Sequence, residues 1–275
     1  MIRVRFLTEN KTEDPRCDAE FGLSMKITTD EMTILFDTGY SDMLIHNAAR
    51  LHESLEDVDC CVLSHSHDDH TNGVPYFLKA NDHAKVYLHR EALVDSFDDI
   101  HGEPSEEQIG LQWDPANYPG RVVLTEEPVW LSENAVVSGT IPDAPDYVAT
   151  EYFLVKGPDG KYIHDPLNHE QFLAIRGKDG IYLFSGCSHK GIAAAIDYVK
   201  VLFPGEPLVG VVAGMHLFSA TAQARQEVID KLAGENLKVI VPMHCTGIEA
   251  LVLMKTRFAD KCLLASAGKK FLLEE

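Results

Sequence analysis

Cys60-Cys61-Val62-Leu63-Ser64-His65-Ser66-His67-Asp68-Asp69-His70 runs from an apolar strand pattern straight into three imidazoles and two carboxylates. The run Cys60 to Leu63 has the length and apolar character of a short buried strand. The residues beyond it carry metal-ligand chemistry. Imidazoles at relative positions 0, 2 and 5, with carboxylates at 3 and 4, let one tight loop aim His65 and His67 at one cation. Asp69 and His70 can then reach a second. Neutral imidazole and carboxylate suit zinc, manganese or iron.

Three further apolar runs also finish in a histidine. They are Tyr182 to His189, Val211 to His216 and Val239 to His244. In open α/β sheets ligands gather outside the carboxyl ends of strands, so histidines remote in sequence can meet there. The surrounding pattern is α/β. Met25 to Thr29 and Met32 to Phe36 read as a hairpin over Asp30-Glu31, and Met43 to Leu51 as a helix. In the second half, strands at Ile181 to Phe184, Val209 to Val212 and Val239 to Val241 alternate with helices at Ile192 to Phe203, Ala220 to Ala233 and Ile248 to Phe258. That alternation points to a layered α/β architecture. No linker divides the chain, so residues 1–275 are expected to form one domain. Asp95 to Pro119 is rich in acids, Pro and Gly, and predicts a lid or insertion at about 90–120.

The 275 residues are 45% apolar and carry 24 Lys and Arg against 43 Asp and Glu, a formal charge of −19. Such a surface repels polyanions, so nucleic acid is not the expected partner. No apolar run approaches the length of a membrane span. The N-terminus lacks a signal-peptide core, which predicts a cytoplasmic protein with its six cysteines reduced. Cys60 and Cys61 lie in the apolar run Val58 to Leu63, so at least one is expected to face the core. The expected partner is a small-molecule substrate, with no membrane role.

His-x-His-x-Asp-His is the signature of the metallo-β-lactamase superfamily, and the chain resembles that family from end to end. Ile34-Leu35-Phe36-Asp37-Thr38-Gly39 is similar to the family's strand and Asp-Thr-Gly turn. One branch, named for a dihydropterin-ribofuranosylaminobenzene phosphate synthase, is resembled more closely. The matching stretches are Glu20-Phe21-Gly22-Leu23-Ser24, Gly186-Cys187-Ser188-His189-Lys190-Gly191, Gly214-Met215-His216-Leu217 and His244-Cys245-Thr246-Gly247. The resemblance implies an αββα sandwich with one or two divalent metal ions, zinc foremost, at one edge of the sheets. By position it implies His65, His67 and His189 around the first ion and Asp69, His70 and His244 around the second. Cys187 stands where most members carry a bridging aspartate. It is either a thiolate ligand or a small packing residue, with Asp165 a weaker candidate carboxylate. Asp37 is either a turn residue or a hydrogen-bond partner of a ligating histidine.

Metal-activated water needs no Ser or Cys nucleophile. The expected activity is therefore a metal-dependent hydrolase acting on a small, anionic ester or phosphoester. Asp69 would hold the attacking water, and His216 would either contact substrate or transfer a proton, or make a structural hydrogen bond. Helix starts near Thr71-Asn72-Gly73, Lys190-Gly191 and Thr246-Gly247, with the Lys190 cation, would dock an anionic group. The rival readings are the branch's transferase, a non-catalytic metal-binding sensor and diiron redox chemistry. His46, His52, His83, His89, His101, His164 and His169 read as surface or hydrogen-bonded histidines.

Overall fold

The computed structural model describes residues 1–143 and 152–274. In chain order the strands begin with β1 (Ile2–Thr8), β2 (Ser24–Thr29), β3 (Thr33–Phe36), β4 (Cys60–Val62), β5 (Lys85–His89), β6 (Ser96–Ile100), β7 (Glu103–Pro104) and β8 (Val122–Thr125). They continue with β9 (Val129–Trp130), β10 (Ala135–Val137), β11 (Phe153–Lys156), β12 (Tyr162–His164), β13 (Leu173–Arg176), β14 (Ile181–Ser185), β15 (Leu208–Ala213), β16 (Val239–Pro242) and β17 (Lys270–Glu274). The α-helices are α1 (Met43–Leu51), α2 (Asp68–Thr71), α3 (Val74–Ala80), α4 (Ile192–Leu202), α5 (Ala222–Gly234) and α6 (Ile248–Phe258).

Alternation of side chains along each strand builds the layers, because successive residues point to opposite faces. Ile34 and Phe36 of β3 and Cys60 and Val62 of β4 enter a core shared with Phe184, Val212 and Val241 of the facing sheet. Their neighbours Leu35 and Cys61 point the other way, into a core with Leu44 and Ala48 of α1 and Val74 and Phe77 of α3. The second sheet repeats the arrangement. Leu183, Val211 and Ile240 pack against Ile196, Ile229 and Met254 of α4, α5 and α6. Helix, sheet, sheet and helix therefore stack as an αββα sandwich.

The first sheet runs β17-β1-β2-β3-β4-β5-β8, and the second β16-β15-β14-β13-β10-β9. Only part of each is parallel: β3, β4, β5 and β8 in one, and β14, β15 and β16 in the other. The carboxyl ends of β4, β14, β15 and β16 lead into His65, His189, His216 and His244, so this topology gathers them at one edge. The 90–120 segment is more regular than its composition predicts. Within it, β6 pairs with β7 and with β11, and β11 also pairs with β12, making a third, four-stranded sheet. Cys60 and Cys61 lie in β4, on its opposite faces. Burial pushes the Cys60 thiol up to about 12 and holds that of Cys61 well above its usual range. All six cysteines are free and buried. Among the described residues no helix is long and apolar enough to cross a membrane.

Candidate metal centre

Backbone conformation marks the edge where the strands end. Asp37, Ser188, His216 and His244 all sit at positive φ, between 46° and 56°. Non-glycine residues rarely adopt this region, and such strain persists only where surrounding contacts hold it in place. All four residues follow strands that stop at this edge.

Two groups of ligand atoms meet there. The first comprises His65, His67 and His189, whose ligating atoms lie within 4.8 Å of one another. All three side chains are buried, and none of the three Nε2 atoms has a hydrogen-bond partner among the described residues. A buried polar atom without a partner is costly, so three converging ones indicate the place of a bound group. Burial, followed by neighbouring imidazoles, drives His65 and His189 well below the ordinary histidine range. His67 falls to about 3, chiefly through burial. All three rings are neutral at pH 7, the form that ligates a cation.

The second group comprises Asp69, His70 and His244. It holds together through its own polar contacts. His244 Nε2 lies 3.1 Å from Asp69 Oδ2 and 3.2 Å from His70 Nε2. Burial opposes charge on His70, but Asp69 and Asp37 outweigh it and lift the imidazole to about 9. Asp69 is also penalised by burial, yet His70 and His244 hold its carboxyl far below the usual range. The His70 imidazole, between the carboxylates of Asp37 and Asp69, is thereby held in its protonated form at pH 7.

Neighbouring residues fix the tautomers. Asp37 Oδ2 accepts from His70 Nδ1 at 2.7 Å and from the Ser64 hydroxyl at 2.8 Å. The Ser64 hydrogen is thereby used, so its oxygen accepts from His65 Nδ1 at 2.9 Å. Asn10 Oδ1 accepts from His244 Nδ1 at 2.7 Å. Each contact turns the opposite nitrogen, Nε2, toward the centre. Asp37 thus serves both groups at once. This resolves its two sequence readings in favour of a hydrogen-bond partner.

Cys187 lies between the groups, with its Sγ 3.2 Å from His70 Nε2. Asp165 instead faces His169, at 3.2 Å, and the Leu167 amide. His169 also accepts from the Ser66 amide and stacks on His65, so it is a buried, hydrogen-bonded histidine. His216 sits beside His189, with ring centroids 4.5 Å apart, in the wall of the cleft. Lys190 is placed differently from its predicted role. Its side chain is buried, its ammonium contacts Asn168 and Asp143, and it is absent from the cleft lining. The amides of His189 and Lys190 donate to the buried carboxylate of Glu170, and that of His244 donates to Glu9. At the Lys190 helix start the chain's own Glu170 therefore takes amides predicted to hold an anion. The predicted helix start at Thr71-Asn72-Gly73 is that of α3, whose N-cap is Gly73, and the short α2 that precedes it holds Asp69 and His70.

A cleft of about 570 Å³ opens onto both groups. Phe21, Tyr40, Tyr152, Phe153 and Phe218 supply aromatic walls, and Glu20, Asp68, Asp98 and Asp99 line it with carboxylates. Phe153 packs over the rings of His67 and His189, at 4.6 and 4.9 Å. Sequence reasoning did not find Phe153, Glu170, Glu9 or Asn10 as site residues. No local spacing links them to the ligands they contact.

The sequence profile of the metallo-beta-lactamase superfamily matches residues 18–244, a span that includes both groups up to His244. The chain belongs to that superfamily. Among its relatives is an uncharacterized protein of Methanocaldococcus jannaschii, 31% identical over 253 residues, which cover 90% of this chain and 92% of the relative. A second protein of the same organism is named 7,8-dihydropterin-6-methyl-4-(beta-D-ribofuranosyl)-aminobenzene-5'-phosphate synthase. It is 28% identical over 265 residues, covering 91% of this chain and 89% of that protein. A crystal structure described as a metal-dependent hydrolase of the beta-lactamase superfamily superposes with a TM-score of 0.85 at 25% identity, over the full length of both chains. As a superfamily member, the chain has candidate His, Asp and Cys ligands grouped for divalent metal.

Proposed function

We propose that the chain is a metal-dependent hydrolase of a small ester or phosphoester, working with two divalent ions, zinc foremost. The observation that carries this reading is the set of three partnerless Nε2 atoms of His65, His67 and His189 beside the Asp69–His70–His244 group. When bound, divalent metal lowers the pKa of water and polarises the oxygen under attack. The chain's residues supply the rest. Asp69, at the rim of the second group, accepts a hydrogen bond from the attacking water and orients it. His216, in the cleft wall, transfers a proton to the departing oxygen. Phe153 closes the apolar side over His67 and His189 and keeps bulk water away, while Phe21 and Tyr152 receive the flat or apolar part of the substrate.

With Lys190 engaged elsewhere and carboxylates lining the cleft, attraction for a phosphate or carboxylate comes from the bound cations. A panel of esters, thioesters, lactams and phosphodiesters, assayed with protein of measured metal content, tests the proposal. Turnover of an ester or phosphoester that disappears on chelation and returns with zinc is the expected result. A fully loaded protein that turns over none of the panel would refute it. Equal kcat/KM for esters with and without a phosphate would refute the anionic preference.

A second reading has one specific support, the relative named as a synthase over nearly the whole chain. In that reading the same centre stabilises a departing pyrophosphate while a dihydropterin joins an aminobenzene ribose phosphate. Incubation with both substrates, followed by mass spectrometry for the condensed product, separates the two.

A further inference from the structure

The six cysteines divide into two kinds. Cys17, Cys60, Cys61 and Cys262 belong to the apolar cores between and outside the sheets. Cys187 and Cys245 belong to none of those cores, although both are buried. A packing cysteine behaves as a small hydrophobe among apolar neighbours. Cys187 is instead surrounded by imidazoles.

Its position relative to them is specific. Cys187 Sγ forms a close group with His65 and His70, another with His189 and His216, and a third with His244 and Cys245. It therefore reaches members of the first ligand group (His65, His189) and of the second (His70, His244). Among the described residues Cys245 forms such a group only with Cys187 and His244, and its sulfur accepts from the His216 amide. The backbone around Cys187 leaves little room for adjustment. A Cβ on Gly186 would lie 2.1 Å from Ser64 Oγ, and one on Gly214 would lie 2.1 Å from the Gly186 carbonyl oxygen. The partnerless Nε2 atoms of His65, His67 and His189 point to the group that would sit beside the sulfur.

We propose that Cys187 is a thiolate ligand shared by the two metal ions, in place of a bridging carboxylate. This rests on the metal-dependent reading only for the presence of the cations. Binding replaces the thiol S–H with two metal–sulfur bonds and releases the proton to solvent. The thiolate keeps the single negative charge that a carboxylate would bring. It also makes the donor set softer, favouring zinc, cobalt or iron over magnesium or manganese. Cys245 is its neighbour, not a second bridge.

X-ray absorption at the zinc edge, on protein loaded with two zinc ions per chain, reads the bridge without reference to turnover. The wild type is expected to show about one sulfur per zinc, at about 2.3 Å. Cys187→Ser and Cys187→Asp are expected to lose that sulfur, whereas Cys245→Ser retains it. Cobalt-loaded protein should show the same pattern in its sulfur-to-metal charge-transfer absorption. A wild-type shell of nitrogen and oxygen alone overturns the proposal. So does sulfur on one ion only, or sulfur lost from Cys245→Ser but kept in Cys187→Ser. A nitrogen and oxygen shell in a protein that hydrolyses esters sinks the bridge alone. A protein that takes up no metal sinks the hydrolase reading with it. Thermal unfolding of each variant separates loss of ligation from loss of fold.

Discussion

The two ligand groups at the sheet edge face the same cleft but solve different electrostatic problems. His65, His67 and His189 form a neutral trio with no carboxylate among them, and burial keeps protons off. Asp69, His70 and His244 are charge-rich and hydrogen-bonded to one another, and the carboxylates of Asp69 and Asp37 keep a proton on His70. The first group has lone pairs waiting and little internal cohesion. The second is coherent already and must give up a proton before it ligates. A cation should therefore enter the first group without taking a proton from its three imidazoles, and the second only as His70 gives one up.

The sharpest way to break this contrast is to remove one waiting lone pair. His67→Ala is expected to lower metal content by one equivalent and cut kcat/KM by more than about 100-fold, beyond the 10–100-fold typical of losing an outer hydrogen-bond partner. His46→Ala, at an exposed position on α1, should change neither. Elemental analysis with initial-rate kinetics checks both, and full metal content in His67→Ala would show that the trio is not a ligand set.

Asp37 tests whether the groups are independent. It holds His70 directly and His65 through Ser64. Asp37→Asn replaces a charged acceptor with a neutral one, and should weaken metal binding by about 10–100-fold in both steps of a titration. Asn10→Ala touches only His244 Nδ1 and should affect the second step alone, by a smaller factor. Selective loss of one step in Asp37→Asn would show that the Ser64 relay does not reach the first group.

Much of this site was legible because parallel topology does the gathering. His65, His189, His216 and His244 each follow an apolar run, and residues after the carboxyl ends of neighbouring strands must come together. The His-x-His-x-Asp-His spacing added the two groups' local members. What stayed hidden depends on contacts between remote, irregular segments. Glu170 reaches the His189 amide from a loop with no periodicity, and Asn10 reaches His244 across 234 residues. The third sheet was missed for a related reason: β6 finds its partner β11 more than fifty residues later, so its short acidic strand has no local signal. Lys190 illustrates the converse. Its place before a helix suggested anion binding, but Glu170 occupies the neighbouring amides and Asn168 and Asp143 hold the ammonium.

Acid should sharpen the contrast in the metal-free protein. His67 has a folded pKa of about 3, below its ordinary 6.5. The unfolded chain therefore binds the proton first, and stability falls as pH drops below 6.5, by roughly 1.4 kcal/mol per pH unit for each such imidazole. His65 and His189 shift in the same direction. His70, raised to about 9, has the opposite sign: its stabilisation is present below 6.5 and is lost as pH rises through 9. Denaturant melts of metal-free protein should thus weaken on the acid side through the first group and on the alkaline side through the second. In His67→Gln the acid limb should flatten while the alkaline limb stays, and an unchanged acid limb would contradict the assignment.

The smallest effect concerns the cleft and not the metal. Phe21 is 58% exposed and lies against His244, with ring centroids 4.9 Å apart. It covers the second group where Phe153, 5% exposed, covers the first. Phe153 is part of the packed wall, so truncating it disturbs folding as well as function. Phe21 has little packing to lose. Phe21→Ala should therefore leave metal content and unfolding unchanged and raise KM several-fold for substrates with an aromatic part, with kcat nearly constant, as expected when only uniform binding is removed. A fall in kcat with KM unchanged would place Phe21 at the reacting group instead, and the two aromatic covers would then be alike.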